Sequence, residues 1–140
     1  MKILLAVDGS HCGFTAAGSI AARPWPPGSI IRIVHVCESA AEATDVNPAR
    51  LQPPFPPAPY AIEKALGRLA GLPFKVEAKV LPGRPKAAIL DEARDWGADL
   101  IVVGSHGTSG IERFLLGSVS LAVAAHAHCS VEIVRPPQPH

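Results

Sequence analysis

At 140 residues the chain has room for one domain, which would bury roughly two-thirds of its unfolded-chain surface. With 48% hydrophobic and 18% charged residues it is a packed globular chain, and these values exclude an intrinsically disordered one. A formal net charge of +1, with no Lys/Arg run and no aromatic stacking stripe, argues against nucleic acid as a partner.

The apolar run Ile3 to Val7 is cut off by Asp8, too early for a secretory h-region. No uninterrupted apolar span approaches ~20 residues, so no membrane association is expected and the location expected is cytoplasmic. Cys12, Cys37 and Cys129 are odd in number, widely spaced and free of any C-x-x-C pattern. They read as reduced, buried or half-buried thiols rather than as a disulfide framework or a zinc site.

In chain order, Lys2 to Val7 is a continuous apolar strand pattern closed by Asp8-Gly9-Ser10, as expected for a strand buried on both faces. Phe14, Ala17, Ile20 and Ala21 then recur at near-helical spacing, until Pro24-Trp25-Pro26-Pro27-Gly28 stops a short first helix at about Ala22. Ile30 to Val36 is β-branched and reads as the second strand. Between Glu38 and Pro59 stand six prolines (Pro48, Pro53, Pro54, Pro56, Pro57 and Pro59), a pattern that predicts extended loop and excludes regular helix.

Helical spacing resumes from about Tyr60 to Ala70, through Ile62, Ala65, Leu66 and Leu69. Phe74 to Val80 alternates apolar with charged residues, which predicts an edge strand with one wet face. Pro85 opens a third helix that Gly97 ends, and Asp99 to Gly104 is the second doubly buried strand. A glycine-rich stretch through Gly117, a helix from about Ser118 to Ala127 and a last strand from Val131 to Val134 complete the pattern. The domain is expected to cover residues 1–135, with 136–140 as a disordered tail. The resulting βαβαβαβαβ order predicts a single doubly wound α/β domain with an open parallel five-stranded sheet.

Ligands of such sheets sit beyond the carboxyl ends of the strands, where the strand order reverses. The turns of interest are therefore Asp8-Gly9-Ser10, Val36-Cys37 and the run from Gly104 to Ser118. Gly104, Gly107 and Gly110 let backbone N–H groups approach a ligand, and Ser118 adds a hydroxyl at the positive end of a helix, a setting suited to a phosphate chain. Asp8 suits either a ligand contact or a cap on the first helix, and the glycines could equally be turn-makers in a ligand-free protein. His106 reads as an exposed loop histidine. His126 and His128, two apart, point to different helix faces and do not make a metal pair.

The spacing Gly104-x-x-Gly107, nine residues, then Gly117-Ser118 resembles the nucleotide-binding signature of the ATP-binding universal stress proteins. Ile3 to Ser10 is similar to that family's opening strand, Ala98 to Gly104 to its fourth, and His128 to Val131 to its closing element, so the resemblance covers nearly the whole chain. It implies a Rossmann-like sheet of the adenine nucleotide alpha hydrolase type with strand order 3-2-1-4-5, a homodimer through the last strand, and ATP with Mg or Mn as cofactors. It further implies that Asp8 faces the ribose or the metal, that Val36, Ala6 and Val7 line the adenine, and that Gly104, Gly107, Gly117, Ser118 and Val119 hold ribose and phosphates. The short first helix and the Pro-rich loop depart from the family pattern.

No Walker lysine follows the glycine-rich turn, no G-x-G-x-x-G follows the first strand, and no nucleophile–base pair stands near the turn in sequence. The function expected is thus a nucleotide-dependent sensor or switch in the stress response that is not an enzyme, or at most a slow ATP hydrolase. The alternative is a nucleotide-free dimeric interaction module, with the Pro-rich loop offered to a protein partner.

Overall fold

The computed structural model describes residues 1–8, 11–37, 57–105 and 116–136. Among these residues, five strands, β1 (Lys2–Ala6), β2 (Ile30–Cys37), β3 (Lys75–Pro82), β4 (Leu100–Gly104) and β5 (Ser130–Val134), alternate with four helices, α1 (His11–Ala21), α2 (Pro57–Leu69), α3 (Pro85–Trp96) and α4 (Ser118–His126). All strand pairs are parallel and the order is β3-β2-β1-β4-β5, as the resemblance implied.

The two apolar runs legible in the sequence, β1 and β4, lie side by side in the middle of the sheet. Alternate residues of each enter two different cores, because successive strand side chains point to opposite faces. Ile3, Leu5, Ile31, Ile33 and Val102 pack against Ala17, Ile20 and Leu69 of α1 and α2. Leu4, Val34, Ile101 and Val103 pack with Ile89 and Ala93 of α3 and Val123 of α4. The chain winds outward from β1 to β3 on one side, then crosses to β4 and β5 on the other, so the reversal lies between β1 and β4.

Local chemistry fixes several boundaries. Gly97 takes φ 78° and its N–H returns to Ala93 and Arg94, closing α3 in a left-handed cap that a side chain would strain. The Trp25 indole N–H donates to the Ile20 carbonyl at 2.9 Å and satisfies a free end of α1. Two expectations need correction. Helix α2 starts at Pro57 rather than at Tyr60, because Pro57 and Pro59 occupy a first turn whose N–H groups have no helical partner to lose. The alternation in β3 gives only a partly covered apolar face, since Val80 stays 48% exposed. Residues 38–56, most of the Pro-rich segment, lie outside the described residues, as does 137–140 of the tail.

Candidate functional site

The carboxyl ends of β1 and β4 bring the first turn of α1 and the start of α4 to the same crevice. Val7 continues beyond the β1 ladder, donating its N–H to the Val34 carbonyl at 2.9 Å. Its carbonyl lies 3.0 Å from His35 Nδ1, on a ring that is almost fully buried. Asp8 follows, with Oδ1 3.6 Å from where a Cβ on Gly13 would stand, so the carboxylate lies over the first turn of α1.

Gly104 lets α1 come this close. A Cβ there would lie 2.7 Å from Cys12 Cβ, 2.8 Å from Cys12 C and 2.9 Å from Cys12 O, and two of these atoms are backbone. The close approach of helix to strand, rather than an unusual φ, is what requires glycine at this position. Cys12 Sγ also lies 3.9 Å from the hydroxyl of Ser105, a fully buried residue.

Ser105 anchors both arms of the glycine-rich segment. Its N–H donates to the Val134 carbonyl at 2.9 Å, tying the first arm to β5. Its carbonyl accepts the Gly117 N–H at 2.7 Å and stands 3.1 Å from the Ser120 hydroxyl, tying down the second arm where α4 begins. Gly117 is the N-cap of α4, with φ −63° and ψ 158°, and its own carbonyl accepts the first helical bond from Leu121. Beyond it, the first-turn N–H groups of α4 lack helical acceptors and carry the partial positive charge of the helix end.

The residues expected to hold a ligand divide by face. Ala6, Val36 and Val119 pack on the α3–α4 side of the sheet as half-buried side chains, so they share one face and one apolar cluster. Val7 is different. Its side chain is buried in the α1–α2 core, which leaves only its backbone on the crevice side. Gly117 and exposed Ser118 stand at the rim. Gly107, with Gly110, His106 and Arg113, lies outside the described residues.

The sequence assigns no part in the site to His35, Ser105 or Ser120, and reads Cys12, found free and buried, only as a packed thiol. The signal for His35 was present as one imidazole among the β-branched residues Ile33, Val34 and Val36. Ser120 could have been marked as a hydroxyl in the first turn of a helix, where such groups bond back to the backbone. Among the described residues no group of three or more His, Cys, Asp or Glu side chains is placed to hold a metal by itself. None of their helices is long and apolar enough to cross a membrane.

An open parallel sheet whose strand order reverses between β1 and β4 defines the class of doubly wound α/β proteins that take ligands at that reversal. Within it, the chain belongs to the universal stress protein family, whose model matches residues 1–135. A putative universal stress protein of Staphylococcus epidermidis is 36% identical over 139 residues, covering 96% of this chain and 83% of that protein. The solved structure of hypothetical protein MJ0577 superposes with a TM-score of 0.82 at 26% identity, covering 99% of this chain and 97% of the other. A universal stress protein solved in complex with cAMP superposes with a TM-score of 0.65, also at 26% identity, covering 96% of this chain and 95% of the other.

Proposed function

We propose that this chain binds an adenine nucleotide, ATP with a magnesium or manganese ion, across the carboxyl ends of β1 and β4, and serves in the cytoplasm as a nucleotide-dependent sensor or switch in the stress response. The carrying observation is the anchoring of both arms of the glycine-rich segment on the Ser105 backbone, its N–H bonded to Val134 and its carbonyl to Gly117, which sets Gly117 and the positive end of α4 at the strand reversal. Family membership and the cAMP complex of a relative at 26% identity support an adenine nucleotide as the ligand.

In this reading Ala6 and Val36 offer an apolar wall to the base, the Val7 backbone borders it, and Gly104, Gly107, Gly117, Ser118 and Val119 surround ribose and phosphates. The metal fits as a phosphate-borne ion. Magnesium commonly takes one or two carboxylates plus phosphate oxygens rather than a full protein cage, and Asp8 is the carboxylate at this rim. The ion would supply charge neutralisation to the phosphates. A switch role follows from the chemistry at hand, since the glycine-rich segment has no Walker lysine to hold the terminal phosphates for transfer. Hydrolysis is then slow or dependent on a partner.

Dimerisation through β5 belongs to the same proposal. The two sheet edges differ: β3 carries Lys75, Glu77, Lys79 and Pro82, which discourage strand addition, whereas β5 presents half-buried Val131, Ile133 and Val134.

The test is calorimetric titration of Mg-ATP, AMP and cAMP into nucleotide-stripped protein and into Gly117→Val. Gly117 has a φ that any residue adopts, so valine there adds bulk at the rim without backbone strain. Micromolar binding by wild type that is lost in the variant supports the proposal. Folded wild type that binds none of the three overturns it in favour of a nucleotide-free interaction module.

A further inference from the structure

His35 sits in β2 between Val34 and Val36, is 9% exposed, and has no part in the nucleotide contacts proposed above. A buried imidazole needs a reason, because its polar atoms are costly to remove from water unless paired. Its partner here is the Val7 carbonyl, 3.0 Å from Nδ1. A carbonyl oxygen can only accept, so Nδ1 must carry the proton.

That bond falls where the backbone ladder runs out. The β1–β2 register ends at Ala6 opposite Val34, and Val7 makes one further bond through its N–H to Val34. The Val7 carbonyl is the first acceptor past the ladder, and the imidazole supplies its donor. Because a trans peptide is planar, its C=O and the following N–H point in opposite directions. Holding the Val7 carbonyl toward β2 therefore turns the Asp8 N–H away from β2, toward β4 and the crevice at the strand reversal. The same peptide plane sets the direction from which the Asp8 side chain departs over the first turn of α1.

We propose that His35, through its Nδ1–H bond to the Val7 carbonyl, is the positioning residue that fixes the Val7–Asp8 peptide and so aims Asp8 at the bound nucleotide. The proposal rests on the nucleotide reading and names a residue outside the contact set that governs affinity.

Two variants and one wild-type measurement test it. Leucine at position 35 keeps the bulk and removes the donor, while asparagine places an amide N–H close to where Nδ1 stands. His35→Leu is expected to weaken Mg-ATP binding by about tenfold or more with circular dichroism unchanged, and His35→Asn to recover most of that loss. Rescue by asparagine separates positioning from mere core packing, which leucine would serve better. In wild type, ¹⁵N spectra of labelled histidine should show the His35 proton on Nδ1, and the Asp8 amide resonance should move on nucleotide addition. If wild type binds nucleotide and His35→Leu binds as tightly, the inference fails while the nucleotide reading stands. If the leucine variant does not fold, a wild-type His35 without a proton on Nδ1 still overturns the inference. If wild type binds no nucleotide, the functional reading itself falls, and the inference with it.

Discussion

The Ser105 carbonyl accepts the Gly117 N–H at 2.7 Å, so residues twelve apart in sequence are joined at the base of the glycine-rich segment. Ser120 reinforces the join. Its hydroxyl, on a residue only 3% exposed, lies 3.1 Å from the Ser105 carbonyl and 3.0 Å from the Gly117 carbonyl, and its single proton is shared between them. The start of α4 is thus held against the end of β4 by protein bonds alone.

Ser120→Ala removes that shared donor and leaves the Gly117 bond in place. It should cost about 1 kcal/mol in urea unfolding, the usual net worth of one buried hydrogen bond. Nucleotide affinity in the variant should fall as well, since the second arm loses one of its two ties. Unchanged stability and affinity together would show that the hydroxyl bonds are incidental.

Gly104→Ala should destabilise by roughly 1–3 kcal/mol, because the new methyl would meet the Cys12 backbone and α1 would have to move away from β4. Gly67→Ala is the contrasting case. A Cβ there meets nothing within 4 Å on α2, and the gain in helix propensity should stabilise by about 0.5–1 kcal/mol. Opposite shifts of the urea midpoint for two chemically identical changes would confirm that contact, not glycine as such, decides the sign.

Much of this was legible in the sequence, and the rest was not for definable reasons. Doubly buried strands such as β1 and β4 declare themselves by unbroken apolar runs, and Gly97 by its place after an amphipathic stripe. The start of α2 was misread because prolines were counted as breakers, although Pro57 and Pro59 fall in a first turn that tolerates them. The Val7 side chain enters the α1–α2 core and leaves only its backbone for a ligand, a parity that is fixed only once neighbouring Ala6 is known to face α3 and α4. The Cys12–Gly104 contact and the Ser105 carbonyl's two partners depend on how far apart β4, α1 and α4 stand, which no spacing of residues encodes.

On the face packed against α3, Arg32 lies between Glu92 at 2.7 Å and Glu77 at 3.5 Å, with its guanidinium 4.2 Å from the centroid of the Trp96 ring. Lys79 reaches the same Glu92 carboxylate at 3.0 Å. Glu92 is the shared, mostly buried partner. Glu92→Gln should therefore destabilise by about 1–3 kcal/mol, while Lys79→Met, which removes a half-exposed cation, should cost less than about 0.5 kcal/mol. Equal losses in thermal or urea unfolding would place the network's strength at the surface pair instead.

Burial, reinforced by the nearby Asp99 carboxylate, raises the Cys129 thiol above its ordinary value of 9.0. The folded protein therefore holds this proton longer than the unfolded chain does. Stability from this source is fully present below pH 9.0 and is lost as pH rises through the folded-state value. Alkylation of Cys129 by iodoacetamide near neutral pH should be slower than that of an unfolded-chain cysteine, because less thiolate is present. Asp99→Asn should accelerate it by removing the like charge, although the same change removes the carboxylate that accepts the Lys2 N–H at 2.8 Å.

The two sheet edges make the last prediction. Strand β5 is held on its inner side by β4, and among its side chains Glu132 is drawn to Arg23 at 2.6 Å and to Ser19 at 3.4 Å, both on α1 or just after it. That pairing takes the one charged side chain of β5 to the α1 face and leaves Val131 and Ile133 on the α3–α4 side, where Leu121 of α4 is 57% exposed. An apolar edge of this kind invites a second copy, whereas β3, with its lysines and terminal proline, resists one. Ile133→Lys should therefore shift the protein from dimer to monomer in light scattering, with circular dichroism preserved. Ala78→Lys on β3 should leave the dimer intact. A wild-type protein that stays monomeric at high micromolar concentration would remove the dimer from the proposed function without touching the nucleotide site proposed between β1 and β4.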